Sequence, residues 1–224
     1  MSVAGPAQIM NGQIYCPPAD TGLDVIHRDD DLLVVNKPSG LLSVPGKGAE
    51  LSDCLEARVH AVHPGALIVH RLDRDTSGVF IMAMNANAQR HLGLQFERRH
   101  LSKTYQAIVA GHVQADDGEI DLPLIADWPN RPLQKVCHDT GKPALTRWRV
   151  ISRTEASTRL DLAPHTGRSH QLRVHLKEIG HPILGDPLYG DATAAPRLML
   201  HAHTLTIRHP TGGAVETFCA QVPF

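Results

Sequence analysis

The run GALIVHRLDRDTSGV at residues 65–79 sets an apolar Leu67-Ile68-Val69 ahead of His70, Arg71, Asp73, Arg74 and Asp75, and closes on Thr76-Ser77-Gly78. A carboxylate at the end of an apolar strand, just before a turn, is held by stiff backbone and offered to a cleft. Such a group serves as nucleophile or base when a cation keeps it ionised. Asp73 is therefore the first candidate, against the plainer reading of a salt bridge or a turn-capping aspartate. Asp75 lies two residues on and would point the same way, which raises a paired-carboxylate glycosidase. Neighbours this close cannot flank a sugar from opposite faces, so that reading is weak.

The segment HTGRSHQLRVHL at 165–176 is the second candidate. It places Arg168 in a turn and Arg173 on the helix that follows, with Ser169, His170 and Gln171 at the helix start. Guanidinium groups together with a helix N-terminus suit an anion, although a solvated helix face would have the same composition. Metal ligation is the third reading. His170 and His175 are five apart, off the spacing that puts two ligands on one helical face. His201 and His203 would share a strand face but have no evident carboxylate partner, so no metal site is expected.

Elements to hold these groups are legible around them. Leu32–Val35 reads as a strand ended by Lys37-Pro38-Ser39-Gly40. Ser52 is the expected N-cap of a helix that buries Leu55, Val59 and Val62. GVFIMAMN reads as a buried strand, and ANAQRHLGLQFERR as a helix with Leu92, Leu94 and Phe96 partly inward and Arg98 and Arg99 near its C-terminus. KTYQAIVAGHV alternates as a strand with Tyr105, Ala107 and Val109 on one face. The stretch from Glu119 to Val136 holds three prolines and predicts a long surface loop. ALTRWRVISR and STRLDLAPH predict neighbouring antiparallel strands, SHQLRVHLKEIG a short helix ended by Gly180, and RLMLHAHTLTIRHP and AVETFCA late strands. Without a regular strand–helix rhythm, the expectation is an α+β fold with a mixed, mostly antiparallel sheet. Residues 1–22 read as a flexible tail and residues 23–224 as one catalytic domain.

Composition narrows the function. With 42% hydrophobic and 20% charged residues the chain is an ordinary globular one. Aromatics at 4% leave little for stacking platforms along single-stranded nucleic acid. The net charge of −1 argues against general polyanion binding, but it is unevenly spread: residues 1–89 carry a net of −4 and residues 90–208 a net of +4. Arginine makes up 16 of the 22 basic residues, which suits bidentate contact with phosphate or base edges. The four cysteines are scattered, with no C-x-x-C pair, and are expected as buried reduced thiols. No apolar run reaches membrane-spanning length and residues 1–21 lack a signal peptide's pattern, so a cytoplasmic protein without a membrane partner is expected.

HRLDRDTSGV resembles the H-R-L-D-x-x-T-S-G motif of the RluA-type pseudouridine synthases. NKPSGLLSVPG resembles that family's early segment, KTYQAIVAGHV its tyrosine-bearing strand, and TGRSHQLRVHLKEIGHPILGDPLYG its arginine-bearing helix and following loop. These matches occur in the family's order from about Val25 to the end. DLPLIADWPNRPLQKV further resembles members that act on both 23S rRNA and tRNA. The resemblance implies the pseudouridine synthase fold around a central RNA-binding cleft, and conversion of specific uridines to pseudouridine without cofactor or metal. It implies Asp73 as nucleophile, Tyr105 as the ring that stacks on the target base and takes part in proton removal from C5, and Arg173 as the cation paired with Asp73. Arg71 would help flip the uridine, with Arg168, His170 and Gln171 as further RNA contacts. The segment before residue 23 is too short for the S4 RNA-binding domain of many relatives. The expected partners are 23S rRNA and tRNA stem-loops, and the expected state is a monomer.

Overall fold

The computed structural model describes residues 8–10 and 13–224. Gln8–Met10 (β1) and Gln13–Tyr15 (β2) form a small antiparallel pair. The main sheet has ten strands. Val25–Arg28 (β3), Leu32–Lys37 (β4), Leu67–Ile68 (β5) and Ser77–Ala83 (β6) build one half. Ser102–Ala110 (β7), Asp117–Asp121 (β8), Leu145–Arg153 (β11) and Ser157–Pro164 (β12) build the other. Leu200–Arg208 (β13) joins the halves and pairs with Val215–Cys219 (β14). The strand order is β3-β4-β6-β13-β7-β12-β11-β8. Every adjacent pair is antiparallel except β6 with β13, so the expected mixed, mostly antiparallel sheet is what forms. Leu124–Ala126 (β9) and Gln134–Val136 (β10) make a separate hairpin.

The central strands are apolar throughout because both of their faces are covered. In β4, Leu32 and Val34 pack with Leu92 of the helix Ala86–Arg98 (α2), while Leu33 and Val35 pack with Leu55 and Val59 of the helix Leu55–Val62 (α1) on the opposite face. All seven residues of β6 are buried. A third core lies under the other half, where Ala107, Val109, Leu160 and Leu162 meet Leu172 and Leu176 of the helix Gln171–Glu178 (α3). Residue Ala202 of β13 pairs with Gly78 on one side and Tyr105 on the other. This junction sets the turn after Asp73 beside the tyrosine-bearing strand. Gly78 has φ +116°, and a Cβ there would run into the Ala202 backbone, so no other residue fits.

Several expectations are corrected. The N-cap of α1 is Cys54, whose Sγ accepts from the Ala57 amide at 3.4 Å, and Ser52 lies outside the helix. Val62 and Leu94 are exposed, because each falls on the solvent side of its helix. Residues 119–136 are not one long loop: Pro123, Pro129 and Pro132 stand outside β8, β9 and β10, where no ladder bond needs an N–H. Only Cys54 of the four free cysteines is buried. Within the segment read as a tail, the Tyr15 ring is buried, and its hydroxyl donates to the Asp53 carbonyl at 2.8 Å and accepts from the Leu42 amide at 3.1 Å. The part of that reading at residues 1–7 and 11–12 lies outside the described residues.

Candidate active site

A cleft of about 1290 Å³ opens over the β6–β13–β7 junction. Its walls come from the 70–76 segment, Lys103 and Tyr105 of β7, the 163–173 segment and the tip of the β9–β10 hairpin at 130–133. Seven Lys or Arg side chains line it against three carboxylates, so its field favours an anion although the whole chain is slightly acidic.

The backbone that presents Asp73 is pinned from below. Lys37, wholly buried at the end of β4, donates from Nζ to the carbonyls of Pro38, Arg74 and Thr76, each at 2.9 Å. Three carbonyl acceptors require all three ammonium protons. Burial pulls the lysine's pKa down to about 7, with Asp75 and then Asp73 opposing. Ser39 Oγ donates to the Asp75 carbonyl at 2.6 Å, and Ser43 Oγ to the Leu72 carbonyl at 2.7 Å. Asp75 is taken up by Arg74, through bonds of 2.8 and 2.9 Å, so it is no free partner for Asp73. His70 is structural. Its ring stacks between Phe80 and Phe96, its Nε2 accepts from the Ile81 amide, and burial, with Lys103 nearby, lowers its pKa to about 3.

Asp73 itself has a side chain 27% exposed, with Oδ2 3.5 Å from Arg173 Nη1. Tyr105 lines the same cleft, and burial together with the charge of Asp73 raises its phenol pKa. Arg173 enters from α3, a helix whose residues from Gln171 to Leu176 are all buried. Each polar side chain in that run has dedicated partners, as burial demands. Arg173 gives Nε and Nη2 to the two oxygens of Asp186, at 2.8 and 2.6 Å, which leaves Nη1 for Asp73. Asp186 is wholly buried and also accepts from the amides of Leu188 and Tyr189.

A carboxylate, a guanidinium and a tyrosine thus meet at one basic cleft. The family model for RNA pseudouridylate synthase matches residues 31–178. The dual-specificity RNA pseudouridine synthase RluA of Escherichia coli strain K12 is 50% identical over 219 residues, covering 96% of this chain and all of that one. Its counterpart in Yersinia pestis is 53% identical over 204 residues, covering 89% and 99%. The chain belongs to the RNA pseudouridylate synthase family. Among solved structures, human RNA pseudouridylate synthase domain containing 1 is 30% identical with a TM-score of 0.78, covering 93% of this chain and 86% of that one. The human domain containing 4 follows at 26% and 0.70, covering 89% and 88%. The protein is thus an RNA pseudouridine synthase, an isomerase.

In this synthase the expected residues are not equally placed. Asp73, Arg173 and Tyr105 meet in the cleft, and the exposed Arg71 stands at its lip. Arg168 lines the wall, with Nε donating to the Pro143 carbonyl at 3.1 Å. Gln171 is buried in that wall with its amide bonded to protein: its Oε1 accepts from Thr166 and the Arg168 amide, and its Nε2 donates to the Leu145 carbonyl and Thr146. It braces the turn that carries Arg168. His175 and His201 are likewise occupied by protein partners, Thr146 and Leu122 for the one, Ser77 and Ala220 for the other. Sequence reasoning missed Lys37, Asp186 and Tyr189. The available signals were a lysine ending an apolar strand and a lone acid before proline in ILGDPLYG.

Proposed function

We propose that this synthase acts on uridines in 23S rRNA and in tRNA stem-loops, two RNA classes in keeping with the dual specificity of its bacterial relatives, with Asp73 as the reacting carboxylate. The observation that carries the assignment is the Asp73 carboxylate lying 3.5 Å from a guanidinium that Asp186 already holds in place. Isomerisation breaks the N1–C1′ bond, turns the uracil in place and rejoins it through C5, whose proton then leaves. An ionised carboxylate beside the sugar serves either opening of this sequence, attack on the nucleoside or removal of the C2′ proton. The base must first leave its stack, at a cost on the order of a few kcal/mol, and Arg71 at the lip takes its place. Tyr105 offers the ring on which the base lies. Its raised pKa keeps the phenol protonated, which suits stacking and proton donation better than proton removal. Exclusion of water by the bound RNA would keep the sugar intermediate from hydrolysis, which would release free uracil instead of rejoining it. We place the protein in the cytoplasm, acting as a monomer.

The test is tritium release from C5-labelled uridine in transcribed RNA. Asp73→Asn should abolish release while RNA binding persists; turnover above trace would remove Asp73 from its role. Mapping pseudouridine in total RNA from cells with and without the protein identifies the targets, and loss of sites in only one RNA class would refute dual action.

A further inference from the structure

His170 sits at the start of α3 with φ 53° and ψ 19°, one of two non-glycine residues with positive φ among the described residues. That conformation costs about 1 kcal/mol for a residue with a Cβ and calls for a reason. The reason lies in where the ring is put. Nδ1 is 2.7 Å from the Tyr189 hydroxyl, and Nε2 is 4.0 Å from Asp73 Oδ1.

The tautomer follows from counting protons. The Tyr189 oxygen accepts from the Gln134 amide at 2.8 Å, so its own hydrogen must find an acceptor, and His170 Nδ1 is within reach. Burial pushes the phenol up to about 12 despite that amide, so the hydrogen stays on it. Burial also lowers the imidazole pKa, against the pull of Asp73, so the ring is neutral. With Nδ1 accepting, the single ring proton is on Nε2, the nitrogen that faces Asp73. Arg173 faces the other oxygen of the same carboxylate. Both gaps exceed a direct hydrogen bond, so the carboxylate is bracketed by two donors without yet being gripped.

We propose that His170, locked as its Nε2–H tautomer by Tyr189, is a positioning residue that completes a two-point clamp on Asp73, with Arg173 on Oδ2 and His170 on Oδ1. The clamp closes when substrate fills the cleft and fixes which carboxylate lone pair meets the sugar. This rests on Asp73 being the reacting carboxylate. Tyr189 reaches the hairpin backbone at Gln134, so one hydroxyl couples the cleft wall to the orientation of Asp73.

Nitrogen-15 NMR of the histidine side chains reads the tautomer without any activity. The wild-type protein should show His170 protonated at Nε2, and Tyr189→Phe should shift it to a tautomeric mixture; an Nδ1–H ring in the wild type overturns the proposal. Kinetically, His170→Asn tolerates the same backbone but ends short of the Nε2 position. It should lower kcat about 10- to 100-fold, the scale of an ångström-sized misplacement, with KM for RNA within about twofold. His170→Gln, whose amide nitrogen reaches nearer to Nε2, should recover part of that loss. An unchanged kcat in His170→Asn, or a loss confined to KM, overturns the clamp. Asp73→Asn is assayed alongside: if it retains turnover, the assignment of Asp73 fails, whereas a dead Asp73→Asn beside a fully active His170→Asn sinks the clamp alone.

Discussion

Replacing Asp186 with Asn isolates what a buried charge contributes to this site. The side chain is wholly buried and receives four hydrogen bonds, two from Arg173 and two from the amides of Leu188 and Tyr189. Asn can keep the amide bonds through its oxygen, but its NH₂ then meets the guanidinium donor to donor. Removing one partner of a buried ion pair costs about 3–5 kcal/mol. The low end applies here, because Asp73 remains 3.5 Å from Nη1 as a second, partly exposed anion. A loss of about 3 kcal/mol is a large share of the roughly 5–15 kcal/mol typical of a domain, so the variant should fold yet melt about 6–12 °C lower. Urea unfolding followed by tryptophan fluorescence should show a lower midpoint with the slope unchanged. Combining the change with Asp73→Asn sharpens the test. In the wild type that second substitution leaves Arg173 still paired. In Asp186→Asn it removes the second of the two carboxylates paired with a buried cation and should cost at least about 1 kcal/mol beyond additivity. A loss under about 1 kcal/mol for Asp186→Asn, or strict additivity of the pair, would refute this account of how Arg173 is held.

Three further outcomes are expected. Lys37→Met strands three carbonyls under the 73–76 turn; at about 1–3 kcal/mol for each unsatisfied group, chemical denaturation should register at least about 3 kcal/mol, and a loss below 1 kcal/mol would show the turn to be held by other contacts. Trp128 is 68% exposed at the hairpin tip under the Arg131 guanidinium, so Trp128→Ala should raise KM for RNA about 5-fold or more, the scale of one lost base-stacking contact, and leave kcat alone; steady-state kinetics with an unchanged KM would remove the hairpin tip from substrate contact. At the far edge of the sheet, Asp29 bonds to both His27 and His209. Burial opposes its ionisation, but these bonds and the amides of Asp31 and Leu32 bring it from 3.8 to about 2, a contribution present above pH 4 and lost as pH falls towards 2. The His209 pKa is raised, since its bonds to the Thr211 carbonyl and Asp29 outweigh burial; its contribution is full below about 6.5 and fades as pH rises through the folded value. Urea midpoints from pH 6 to 9 should therefore fall less steeply in His209→Ala than in the wild type, and equal slopes would sink the assignment.

Local order along the chain was enough to place Asp73, because a strand, a charged run and a Thr-Ser-Gly turn are contiguous and each constrains the next. The same holds for Tyr105, Ala107 and Val109, whose alternation is a property of β7 alone, and for the doubly buried β4 and β6, whose unbroken apolar runs announce two covered faces. The prolines of 119–136 misled because their cost depends on which N–H groups a ladder needs, and that is known only once strands pair.

Burial of polar groups was decided elsewhere. Gln171 and Arg173 both read in sequence as anion contacts near a helix start, yet one braces a turn and the other is gripped by Asp186, 13 residues away. Lys37 reaches carbonyls at 74 and 76, and Tyr189 ties Gln134 to His170. Pattern within the chain reports which side chains avoid water; which polar group meets which depends on distances between segments that no local spacing encodes. The 65–79 run thus singled out Asp73 as the candidate carboxylate, while tertiary contacts between α3, the 183–190 loop and β10 set the charges and donors around it.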